Sequence, residues 1–178
     1  MIGAVVVLYN PDLNMTSELL DGLTHQVSEV IVVDNSPRPA IRDLEKTNIK
    51  PQNYLHFAEN IGLAAAHNKG LQKLASLGCE FGIIFDQDSL VSDDFVQGLK
   101  AGLEFGLGQH NMVAVGPQVW CSFDSNDVRP RVQKRQKISD DLEVASQIIS
   151  SGMMVHLPSL EKVGPKDERL FIDGVDHE

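Results

Sequence analysis

Hydrophobic residues follow two alternating patterns along this chain. Short unbroken apolar runs at Ile2 to Leu8, Val30 to Val33 and Phe81 to Phe85 have the length and composition of buried strands, and shorter strands are predicted at Tyr54 to Phe57 and Val113 to Val115. Between them the apolar positions shift to helical spacing. Met15, Leu19, Leu20 and Leu23 predict a helix capped by Thr16 or Ser17, and a turn at Gly62 runs into a second helix that reaches about Leu77. Ala40 to Glu45 predicts a short helix, and Ser92 is the expected cap of one beginning at Asp93-Asp94. From Ser122 to Lys137 the chain turns polar, as a mobile loop or exposed hairpin does. Apolar structure resumes over Ile148 to Val155, and Leu160 to Val163 gives one or two helical turns. Strand and helix alternate through the first 116 residues, which predicts an α/β fold with a mostly parallel, Rossmann-like sheet flanked by helices. No repeat or internal linker divides the chain, so residues 1–178 are read as a single domain.

In an open α/β sheet the ligand crevice lies at the carboxyl ends of the strands. Three of those ends carry polar groups here, Tyr9-Asn10, Asp34-Asn35 and Asp86-Gln87-Asp88, and they are expected to converge on one edge. Asp86 and Asp88 are separated by a single residue. Two carboxylates held so close repel each other, and a hard cation such as Mg²⁺ relieves the repulsion with one or two carboxylates, water and substrate phosphates as ligands. The plainer alternative is a helix cap or solvated turn built with Ser89, Ser92 and Asp93. The helix after Gly62 points free backbone N–H groups outward, a natural anion site. Gly62 itself serves backbone geometry. His67 and His177 receive no catalytic role, and Met153-Met154 is packing or a wall of a ligand pocket.

Composition narrows the class. With 42% hydrophobic and 22% charged residues, the chain is an ordinary globular protein. Its net charge of -10 argues against nucleic acid as a partner, because phosphate backbones are held by Lys and Arg. An anionic substrate would then need a local bridge, which again points to a metal. Cys79 and Cys121 have neither zinc nor disulfide spacing and read as reduced thiols of a cytoplasmic protein. The apolar start lacks a basic leader and a cleavage site and is too short to span a membrane. The basic run Arg129 to Lys137 is read as a solvated loop. Its alternative role is contact with a diphosphate or, for a protein peripheral to the inner face of the cytoplasmic membrane, with anionic lipid.

Six stretches resemble, in order, the inverting family 2 glycosyltransferases of the GT-A fold, and among them the bacterial rhamnosyltransferases. They are Val6 to Pro11, Ile31 to Ser36, Asn60 to Gly70, Phe85 to Ser89, Ser151 to Met153 and Leu170 to Glu178. The resemblance implies a nucleotide-diphosphate sugar donor, dTDP-rhamnose or a UDP-sugar, and a saccharide or lipid-linked saccharide acceptor in O-antigen or capsule synthesis. It places Tyr9, Asn10, Asp34 and Asn35 around the nucleoside, with Asp34 toward the pyrimidine. Asn60, Asn68 and Gln87 would border the nucleotide, and Asp86 and Asp88 would form the DxD-type holder of Mg²⁺ or Mn²⁺. The general base would be Asp176, with Glu178 second; Val175 stands where many members have an acid. Residues 1–116 would then form the nucleotide-sugar half and 117–178 the start of an incomplete acceptor half, the segment from about Phe171 fraying.

Two other enzyme classes share parts of this pattern. Ile83 to Ser89 also looks like the aspartyl-nucleophile motif of haloacid-dehalogenase phosphohydrolases, with Asp86 as nucleophile. That motif normally opens its domain, whereas here two strand-helix units precede it. A sugar-nucleotide pyrophosphorylase wants a Gly-rich loop after the first strand, and Tyr9-Asn10-Pro11-Asp12 is not one. A nucleotide-binding fragment without turnover is the non-enzymatic alternative.

Overall fold

The computed structural model describes residues 1–41, 49–110, 112–118, 120–121, 126–127, 136–139, 142–145 and 147–172. The elements run β1 (Ile2–Leu8), α1 (Leu13–Thr24), β2 (Glu29–Asp34), β3 (Tyr54–His56), α2 (Leu63–Ser76), β4 (Phe81–Asp86), α3 (Phe95–His110) and β5 (Ala114–Val115). Four two-residue strands follow, β6 (Trp120–Cys121), β7 (Asn126–Asp127), β8 (Gln136–Lys137) and β9 (Glu143–Val144), then β10 (Met154–His156) and α4 (Leu157–Val163). The main sheet has the order β3-β2-β1-β4-β10-β5. Strands β3, β2, β1 and β4 are mutually parallel. β10 enters antiparallel between β4 and β5, so the sheet is mostly parallel, as predicted, with one antiparallel strand at one side.

β1 explains why the central runs are apolar without interruption. Ala4, Val6 and Leu8 join Leu19, Leu20 and Leu23 of α1 and Val96, Leu99 and Leu103 of α3 in one core layer. Val5 and Val7 join Ala66, Leu71 and Leu74 of α2 and Leu157 of α4 in the other. Both faces of the strand are covered, so neither face needs polar residues. α2 packs very close: a Cβ on Gly70 would stand 2.3 Å from Val5 Cγ1. Any larger residue there would push the helix off the sheet.

Two helix starts differ from the sequence expectation, each because a better partner is at hand, and the third begins where expected but is already capped. Asp12, not Thr16 or Ser17, caps α1, its carboxylate accepting from the amides of Asn14 and Met15. Thr16 is instead fully buried, and Met15, which helical spacing put in the core, is exposed. α3 begins at Phe95, and the Ser92 hydroxyl donates to the Asp94 carboxylate at 2.7 Å. The amide of Val96 in its first turn donates to Gln26 Oε1 of the segment after α1. At α2 the first two amides donate to the Phe171 carbonyl, Leu63 N at 2.6 Å and Ala64 N at 3.4 Å. The expected anion site at that terminus is therefore occupied by the chain itself. Arg42 to Glu45 of the predicted short helix and most of the polar stretch from Ser122 to Lys137 lie outside the described residues.

Candidate functional site

At the end of β2, Asp34 is fully buried. Its Oδ1 accepts from Ser36 N and its Oδ2 from Ala40 N, both at 2.8 Å, and the Tyr54 hydroxyl also donates to Oδ2. An Asp at a strand end readily accepts from the amide two residues on. Here the same carboxylate also gathers a residue from β3 and one from further along the loop. Burial, and then the bond to Asp34, push the Tyr54 phenol above its ordinary range. Asn35 beside it is 3% exposed; its Nδ2 donates to Gly62 O at 3.4 Å, while among the described residues its Oδ1 has no partner. A buried acceptor left open next to a crevice is a group a ligand donor can satisfy.

The end of β1 is tied to both neighbouring strand ends. The Tyr9 amide donates to Gln87 Oε1 at 2.8 Å, and Gln87 Nε2 donates back to Tyr9 O at 3.3 Å. Asn10, with φ 46°, donates its amide to Ser36 Oγ at 2.8 Å. Asn tolerates that left-handed conformation better than most residues. These bonds confirm that the three strand ends converge on one edge. Gln87 is thereby engaged as a clamp between β1 and β4, with its carbonyl also accepting from Thr16 Oγ1 at 3.4 Å. The Tyr9 ring remains 48% exposed at the rim.

β4 delivers Asp86 half-buried and Asp88 exposed. Their turn is held by backbone and hydroxyl groups: Ser89 N donates to Asp86 O at 3.2 Å, and Asp86 N donates to Ser151 Oγ at 3.1 Å. Ser89 and Ser151 share a hydroxyl contact of 2.6 Å. Ser151 comes from the approach to β10, and no local pattern in the sequence announces its partnership with residues 62 and 65 positions earlier.

The start of α2 forms the fourth wall. Asn60 Oδ1 accepts from Gly62 N at 2.9 Å, and Gly62 has φ 85° with the Phe171 ring against it. Asn68, one turn further on, does not face open space. Its Nδ2 donates to Lys166 O at 2.9 Å and Glu168 Oε1 at 3.1 Å, and its Oδ1 accepts from Lys166 N at 3.0 Å. Together Asn68 and the Phe171 carbonyl strap residues 166–171 along the first half of α2. On that strap the Arg169 guanidinium holds the partly exposed Asp167 carboxyl down to about 2. Asp173, Asp176 and Glu178 lie outside the described residues.

Among the described residues no group of three or more His, Cys, Asp or Glu side chains forms a metal cage. Two carboxylates on one turn nevertheless fit a Mg²⁺-type ion, which completes its shell with water and phosphate oxygens. Among the described residues no helix is long and apolar enough to cross a membrane.

Residues 4–159 match the family described as Glycosyl transferase family 2. The dTDP-rhamnosyl transferase RfbF of Shigella flexneri is 33% identical over 186 residues, covering 99% of this chain and 61% of that protein. The chain thus spans less than two thirds of that relative's length. Among solved structures, S. aureus TarS 1-349 in complex with UDP superposes with a TM-score of 0.65 at 16% identity, over 99% of this chain and 53% of that one. GalNAc-T7 with UDP, GalNAc and Mn²⁺ gives 0.70 at 14% identity, over 99% of this chain and 39% of the other. At such identities the likeness establishes the fold, and that fold is GT-A.

Proposed function

The chain belongs to glycosyl transferase family 2, and on that premise we propose that its carboxyl-edge crevice binds a nucleotide-diphosphate sugar and passes the sugar to an acceptor hydroxyl with inversion. The observation that carries this reading is the fastening of three strand ends, Tyr9 to Gln87 and Asn10 to Ser36, which brings Asp34, Asp86 and Asp88 to one edge. Likeness to a dTDP-rhamnosyl transferase favours dTDP-rhamnose as donor over a UDP-sugar. The acceptor is a saccharide or lipid-linked saccharide of bacterial cell-surface polysaccharide, met at the inner face of the membrane.

Tyr9, Asn10, Asn35 and Asn60 line the nucleotide, and the open Oδ1 of Asn35 suits a base or ribose donor. Asp34 shapes that wall from within. Asp86 and Asp88 hold Mg²⁺ or Mn²⁺, which when bound neutralises charge on the departing diphosphate. An inverting transfer also needs a base for the acceptor hydroxyl, and Asp176 is assigned that role, with Glu178 as the alternative. Replacing Asp176 by Asn should lower turnover roughly 10²- to 10⁴-fold with donor binding retained.

The test is calorimetry with dTDP, UDP and their sugars, with Mn²⁺ and with EDTA. Metal-dependent binding of dTDP-rhamnose, lost in Asp88→Ala, is the expected result. Nucleotide affinity indifferent to both EDTA and Asp88→Ala would remove the metal assignment, and no nucleotide binding at all would remove the function.

A further inference from the structure

We propose that Ser151 is a positioning residue for the cation at Asp86 and Asp88, acting through the turn that carries them; this rests on the metal reading given above. The turn has little support of its own. Its one internal backbone bond, Ser89 N to Asp86 O, is 3.2 Å long. Gln87 inside it is clamped to Tyr9, and its two ends are held by a hydroxyl from a distant segment: Ser151 Oγ accepts the Asp86 amide at 3.1 Å and meets Ser89 Oγ at 2.6 Å.

Ser151 can do this because its own backbone is anchored. The next residue, Gly152, donates its amide to Ile84 O at 2.7 Å, and Ile84 N donates to Met153 O at 3.0 Å. Gly152 has φ 82°, and a Cβ there would lie 2.9 Å from Pro117 Cγ and 3.0 Å from Phe95 Cζ. Only glycine takes that conformation without strain in so tight a space. The anchor ties the Ser151 segment to the strand that ends in Asp86.

Counting protons sharpens the assignment. The Ser89 and Ser151 hydroxyls carry two protons, and their mutual bond uses one. Among the described residues no protein acceptor takes the other. It would be available to a water in the shell of the bound cation. Groups that orient metal-binding carboxylates in this way commonly govern affinity by 10- to 100-fold.

The test uses the 178-residue chain. Mn²⁺ affinity is read by electron paramagnetic resonance in the presence of UDP or dTDP, nucleotide affinity in EDTA by calorimetry, and folding by thermal melt. Ser151→Ala should weaken Mn²⁺ binding about 10-fold or more while leaving nucleotide affinity in EDTA unchanged, and Ser151→Thr, which restores a hydroxyl, should recover Mn²⁺ binding. Wild-type Mn²⁺ affinity in a folded Ser151→Ala chain would overturn the proposal. So would an equal loss of nucleotide affinity in EDTA, the mark of a general structural role. If Ser151→Ala does not fold, Ser89→Ala breaks the hydroxyl contact from the other side, and it must weaken Mn²⁺ binding at an unchanged melting temperature. A wild-type chain that binds nucleotide without any metal dependence would instead overturn the site reading, and this inference with it.

Discussion

The ends of β2 and β4 both carry carboxylates at the same edge of the sheet, and they use them in opposite ways. Asp34 at β2 is fully buried and accepts from Ser36 N, Ala40 N and the Tyr54 hydroxyl. There the carboxylate organises the protein. At β4 the protein organises the carboxylates: the turn is tied down by Gln87, Ser89 and Ser151, while Asp88 stands exposed. An acid placed at a strand end is therefore not by itself a ligand group. Whether its donors come from the protein or from outside decides its role, and that difference can be tested as stability against binding.

The largest effect is expected at Asp34. Asp34→Ala leaves three donors without their acceptor, at about 1–3 kcal/mol for each buried group so stranded. A total of roughly 3–9 kcal/mol should lower the melting temperature by about 10 °C or more for a domain of this size. If Asp34→Ala melted like the wild type and lost only nucleotide affinity, the contrast between the two strand ends would fail.

Tyr54 separates the carboxylate's structural work from its charge. Tyr54→Phe removes one bond to a charged acceptor, worth about 1.5–3 kcal/mol, and leaves both amide bonds in place. The pH dependence has a definite sign. Burial and the Asp34 carboxylate raise the phenol's folded pKa, so the folded state keeps the proton where the unfolded chain releases it. The resulting stability is fully present below the unfolded value of about 10 and is lost as pH rises through the folded one. Tyr9 and Tyr54 are the chain's two tyrosines. Tyrosinate absorbance should show a late ionisation step for Tyr54 that is absent in Tyr54→Phe. Ionisation of Tyr54 at about pH 10 in a chain still folded by circular dichroism would contradict the burial and bonding described.

The fold was largely legible in the sequence because β1 and β4 are covered on both faces, and a strand so placed must be apolar throughout. The convergence of Tyr9, Asp34 and Asp86 was legible too, since parallel strands bring their carboxyl ends to one edge. What stayed hidden was supplied by groups without a pattern. A backbone carbonyl, Phe171 O, ends α2 in place of an anion, and one hydroxyl, Ser151, reaches the β4 turn. The antiparallel entry of β10 was equally silent, because a short apolar strand reads the same in either direction. Asp12 could have been found as the cap of α1, since it stands just before the helix and its carboxylate reaches Asn14 N and Met15 N.

Asn68 carries the comparison onto α2. All three of its side-chain bonds go to Lys166 and Glu168, so it resembles Asp34 more than Asp88. Asn68→Ala should cost about 1–2 kcal/mol and leave nucleotide affinity unchanged. Weaker nucleotide binding at an unchanged melting temperature would move Asn68 from the strap to the ligand.

Asp88 should show the smallest change in stability and the clearest change in binding. It is exposed, and a substitution at such a site usually shifts stability by no more than about 0.5 kcal/mol. Without metal, the loss of one of two carboxylates on the same turn also relieves repulsion, so Asp88→Ala should melt at the wild-type temperature or slightly above it. Added Mn²⁺ and nucleotide should then raise the wild-type melting temperature, because a ligand bound only to the folded state stabilises it in proportion to the logarithm of its concentration over Kd. The same addition should leave Asp88→Ala nearly unmoved. A variant destabilised in the absence of metal would show that Asp88, like Asp34, is held by the protein rather than held out to a ligand, and the distinction between the ends of β2 and β4 would be lost.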